Sequence, residues 1–78
     1  MTPNQARQAI LRGQGPAGID RIDKGHLPGE EWHAHLAPGQ GCIAVNVNGS
    51  WRHLPAGQQP PILNKKQRNF LLSAGWNV

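Results

Sequence analysis

The sequence predicts an α+β domain, and three local signals carry that expectation. Two segments begin with a polar cap followed three residues later by glutamine. Two short runs alternate apolar and polar residues. A single Asn48-Gly49 pair lies at the end of the second run. The expected order is an N-terminal helix, an antiparallel sheet of three to four strands, and a C-terminal helix packed on the sheet's apolar face.

Thr2, Pro3 and Gln5 form the first cap. Thr2 can accept from the helix's free N–H groups, Pro3 suits the first helical position, and Gln5 reaches back to complete a capping box. Ala6, Ala9 and Ile10 then share a face, with Arg7 and Arg12 off it. Gly13 or Gly15 is expected to end this helix. Residues 14–30 show no sustained periodicity, so no element is expected there. Gly15-Pro16 and Pro28-Gly29 read as turns, and Ile19 and Ile22 as anchors to the core.

Trp32, Ala34 and Leu36 alternate with His33 and His35, the period-2 pattern of a half-buried strand. The run Ala37-Pro38-Gly39-Gln40-Gly41 reads as a loop. Ile43, Val45 and Val47 alternate with Ala44 and Asn46 as a second strand. Asn48-Gly49 favours a two-residue hairpin, because both of its central positions need positive φ. That turn would set Val47 opposite Ser50, Asn46 opposite Trp51, Val45 opposite Arg52 and Ala44 opposite His53. Residues 55–61 form a connector rich in proline and glycine. Asn64 and Gln67 cap the second helix, whose face is Gln67, Phe70, Leu71 and Ala74, with Gly75 as its stop.

Seventy-eight residues allow one domain, spanning 1–78, with a thin core. A single cysteine, Cys42, excludes an intrachain disulfide and a four-cysteine metal site. No run approaches the roughly 20 apolar residues of a membrane span, and no secretory h-region follows Met1, so the domain is expected to be soluble with no membrane partner. The net charge is +4, and all four acids fall between Asp20 and Glu31. From Trp32 onward the only charges besides histidine are Arg52, Lys65, Lys66 and Arg68. Such a field favours a polyanion, either nucleic acid or an acidic protein. The cations in the first turn of the second helix oppose its dipole, a small cost that a binding role explains.

Side chains two apart on a strand sit about 6.5–7 Å from each other on one face, which makes His33 and His35 neighbours. The hairpin register adds Asn46 and His53 to that face, with Trp51 beside them as an aromatic platform. Histidine can serve as acid or base near neutrality. The set His33, His35 and His53 therefore suits cleavage of a phosphodiester in RNA without a cofactor. Arg52, Arg21 or Lys24 would steady the charge on phosphorus, and Trp51 would stack a base. A different reading uses His33 and His35 as metal ligands, with His26 or His53 as the third and Cys42 within reach. A third is a non-catalytic nucleic-acid-binding module using Arg21, Lys24, Asn46, Trp51, Lys65, Lys66 and Arg68. The two serines, Ser50 and Ser73, sit in no nucleophile elbow. The four acids read as a solvated loop.

Several of these residues fall in an ordered series. It begins Gly18-Ile19-Asp20-Arg21-Ile22-Asp23, His26, Pro28-Gly29-Glu30 and His33-Ala34-His35. It continues with Asn46, Asn48-Gly49-Ser50-Trp51-Arg52-His53, Phe70-Leu71 and Gly75-Trp76. The series resembles the small C-terminal toxin domains of bacterial polymorphic-toxin and contact-dependent inhibition proteins. Many of those resemble metal-independent ribonucleases of the barnase, colicin and RelE-like group. The resemblance implies an antibacterial ribonuclease cargo of a larger secreted or delivered effector, acting in the target-cell cytoplasm and silenced by a cognate acidic immunity protein.

Overall fold

The computed structural model describes residues 1–25, 28–36 and 43–78. The expected loop over 37–41, Cys42 and His26 lie outside the described residues. The elements run α1 (Pro3–Leu11), β1 (Ile19–Asp23), β2 (His33–Leu36), β3 (Ala44–Asn46), β4 (Trp51–Arg52) and α2 (Lys65–Ser73). The four strands form one antiparallel sheet in chain order. The fold is α+β.

Both helices start as their caps dictate. Thr2 accepts from the Gln5 N–H while the Gln5 side chain accepts from the Thr2 N–H, and Asn64 and Gln67 repeat the exchange. Both also end alike. Gly75, at φ +101°, turns the chain so that its N–H reaches the Leu72 carbonyl and the Trp76 N–H reaches that of Leu71. Leu71 and Trp76 are both buried, so the cap is backed by an apolar contact. Gly13 ends α1 with the same pair of bonds.

One face of the sheet carries the core. Ile19, Ile22, Ala34, Leu36 and Val45 pack there with Ala6 from α1, Leu63 from the connector, and Leu71, Ala74 and Trp76 at the C-terminal end. The Trp76 indole donates to the Val45 carbonyl at 3.0 Å, which satisfies the polar atom of a residue 2% exposed.

Two expectations are corrected. Residues 14–30 do contain an element, β1. Its pairing shifts between Ile19, opposite Leu36, and Arg21, opposite His35. Asp20 is the extra residue, and the bulge lets Ile19 and Ile22, three apart, both face the core. That spacing hid the strand from a search for period 2.

The hairpin register is also one residue off. Ala44 opposes Arg52 and Val45 opposes Trp51, because the loop has three residues, 47–49. The Asn46 N–H donates to the Ser50 carbonyl and the Gly49 N–H to that of Asn46, with Gly49 at φ +92°, an arrangement known for three-residue hairpins. A Cβ at Gly49 would run into the Asn77 carbonyl oxygen. A one-residue slip exchanges the faces of a strand. Trp51 therefore packs against the core and Arg52 takes the opposite face, contrary to the expected platform.

Candidate active site

The face away from the core is polar, and the ladder fixes its order. Asp23 opposes His33, which opposes Asn46, while Arg21 opposes His35, which opposes Ala44, which opposes Arg52. His33 and His35 meet edge to face with ring centres 5.0 Å apart. His33 is only 4% exposed, a correction to the expectation of a solvent-facing histidine. The Arg52 guanidinium and the Glu31 carbonyl both lie against its ring.

Polar neighbours surround both histidine rings. The Asp23 carboxylate oxygen that accepts from the Arg21 Nε at 2.8 Å also lies 3.3 Å from the His35 Nε2. A carboxylate only accepts, so this contact favours the tautomer with the proton on Nε2 and the lone pair on Nδ1. The His33 Nδ1 lies 3.1 Å from the Glu31 carbonyl oxygen, so in the neutral ring it is the donor there. The Arg52 Nη1 sits 3.4 Å from that same nitrogen and 3.5 Å from a Glu30 oxygen. Two donors do not bond each other, so Arg52 is held by Glu30 and rests against His33.

Burial lowers the His35 pKa from its ordinary 6.5. Arg21, His33 and His53 push it the same way, and Asp23 opposes them without prevailing. His35 is thus a neutral base at pH 7. The linkage has a definite sign. The unfolded chain binds this proton more readily than the folded one, so His35's contribution is whole above the unfolded value and is lost as pH falls through the lowered one. Urea midpoints should drop from about pH 7 to about pH 5, with a shallower slope in His35→Gln. An equal slope in both proteins removes His35 as the cause.

His53 follows β4 rather than standing opposite Ala44. It is exposed, and at φ +59° it is the one non-glycine residue in the left-handed region among those described. Histidine is among the residues that tolerate this region, at some cost. Its charge is nonetheless felt at His35.

Asp23, His33 and His35 each offer one metal-ligand atom, all within 4.8 Å of one another. A tetrahedral ion with bonds near 2.0–2.1 Å needs donors about 3.4 Å apart, so the trio would have to contract. Arg21 also holds the carboxylate.

Of the predicted residues, His33, His35, Arg52, Arg21 and Asn46 gather on one face. Lys65, Lys66 and Arg68 do not join them, because α2 packs on the core face. Arg68 instead lines a groove beside Trp51. The sequence reading missed Asp23, set aside as a loop acid, and Arg7 and Trp32. Those two share a cleft of about 1010 Å³ with Asn4, Arg21, Asp23 and Lys24. Among the described residues no helix is long and apolar enough to cross a membrane. Comparison with protein-family models, curated proteins and solved structures finds no match for the chain.

Proposed function

We propose that this domain is a metal-independent endoribonuclease. The observation that carries the reading is the Asp23–His35 pair, a base oriented by a carboxylate and flanked by Arg21 and Arg52. The His35 Nδ1 takes the proton of a ribose 2′-hydroxyl, and the freed oxygen attacks the adjacent phosphorus. The bond from phosphorus to the 5′-oxygen breaks, leaving a 2′,3′-cyclic phosphate on one fragment. His53, exposed and near, gives its proton to the departing 5′-oxygen. Arg52 and Arg21 hold the charge that builds on the phosphoryl oxygens. His33, nearly buried, positions the His35 ring. Asn46 and Lys24 serve RNA binding at the margin of this face. No cofactor is required.

In keeping with the resemblance, the domain acts as a toxin carried into a target cell by a larger effector. An acidic immunity protein silences it by covering the face around Arg21 and Arg52 and competing for their guanidinium groups. Rim charges in such a complex speed association and make it sensitive to salt.

A second reading, a metal-dependent nuclease, draws on the proximity of Asp23, His33 and His35. One experiment separates the two. Purified domain is incubated with total RNA in excess chelator, and the product ends are analysed. Cleavage to 2′,3′-cyclic phosphate ends in chelator is expected. Cleavage only after a divalent ion is restored favours the metal, and RNA bound but intact under both conditions leaves a binding module.

A further inference from the structure

We infer that the cleft between α1 and β1 seats the nucleotide next to the scissile phosphate, with Arg7 and Lys24 on its phosphate and Trp32 against its base. The inference rests on the ribonuclease reading and extends it to residues outside the catalytic face. Asn4, Arg7, Arg21, Lys24 and Trp32 line this cleft, and its volume lies at the top of the range for small-molecule sites, about 300–1,000 Å³. Asp23 lines it too, and the same Asp23 touches His35, so the cleft and the proposed base share one carboxylate.

Three observations point to a nucleotide. Arg7 is half-buried, yet among the described residues it meets no carboxylate. A cation drawn partly out of water without a counter-charge favours an anion in its place. Lys24, exposed on the same rim, likewise has no acidic partner among the described residues. Trp32 packs in part against the core but also lines this cleft, and its indole makes no hydrogen bond among the described residues, whereas the Trp76 indole is bonded to a carbonyl. An aromatic surface beside unpaired cations is the combination that holds single-stranded nucleic acid, because every base has a face to stack. Asn4 adds an amide able to reach a base edge.

The test uses a short labelled 2′-O-methyl oligonucleotide, which lacks the attacking hydroxyl and so stays intact. Binding is followed by anisotropy in a salt series. Arg7→Glu and Lys24→Glu should each weaken binding by about tenfold or more and flatten the salt dependence. Lys66→Glu, the same charge change on α2, should leave both nearly unaltered. Tryptophan fluorescence should be quenched on binding, and the quench should vanish in Trp32→Phe. Equal losses from Lys66→Glu and Arg7→Glu would reduce the effect to overall charge and overturn the assignment. Unaltered KM for RNA in Arg7→Glu and Lys24→Glu, with cleavage intact, overturns the cleft and leaves the ribonuclease standing. The expected binding pattern without any RNA cleavage does the reverse.

Discussion

Changing His35 to alanine should lower the proposed RNA cleavage by about a hundredfold or more while the domain stays folded, as expected for loss of a general base. The side chain lies on the polar face, outside the apolar core, so the fold survives the loss of its contact with His33, and the change relieves an unfavourable charge at acid pH. Single-turnover cleavage near pH 7 and a thermal melt of the same sample check both halves. The pH profile adds a signature that a structural role would not produce. With its pKa lowered by burial, His35 keeps its lone pair at lower pH than an ordinary histidine, so the acidic fall in wild-type activity should lie below pH 6.5. Full activity in the folded variant ends the proposed mechanism.

His53→Gly should separate stability from activity in opposite directions. Histidine at φ +59° is strained, and glycine relieves the strain. The exposed side chain makes no hydrogen bond among the described residues that would be lost. Stability should therefore hold or rise by roughly 0.5–1 kcal/mol. Cleavage should fall by about a hundredfold if the ring delivers the proton to the leaving oxygen. Substrates with an activated leaving group, which needs no proton, should be cleaved nearly as fast by the variant as by wild type. A variant that is less stable yet fully active would show that the residue is held for the backbone's sake alone.

What the sequence discloses depends on how local the responsible interaction is. Each helix start rests on residues three apart, Thr2 with Gln5 and Asn64 with Gln67, and both are legible. The alternation in 32–36 and 43–47 is likewise local, and it places His33, His35 and Asn46 on one face correctly. The hairpin register is decided elsewhere. The Val47 N–H donates to the Trp32 carbonyl, the Asn77 N–H to the Val47 carbonyl, and the Asn48 N–H to the Glu31 carboxylate. The Ser50 N–H and hydroxyl both turn back to the Asn48 side chain. These bonds outweigh the preference of an isolated Asn-Gly pair for a two-residue turn, and three of them span the chain.

The candidate site suffers from the same limit. His33 and His35 are visible because one strand carries both. Asp23 is not, since its place beside them depends on a bulge at Asp20 that no spacing announces. Arg52 was expected on phosphate, and it does reach the histidine face, but by a register that sends Trp51 to the core. Arg7 reaches the cleft only through the packing of α1 on β1, which is a tertiary fact.

The bulge at Asp20 also bears on how the domain keeps to itself. β1 lies at the edge of the sheet, where backbone groups are open to a strand of another molecule. An interrupted ladder with Asp20, Arg21 and Asp23 along it is a poor template for such growth, since a straight incoming strand would meet a kink and mixed charge. The same irregularity that turns Ile19 and Ile22 inward thus guards against aggregation through that edge, which matters most for a small chain crowded among its own copies.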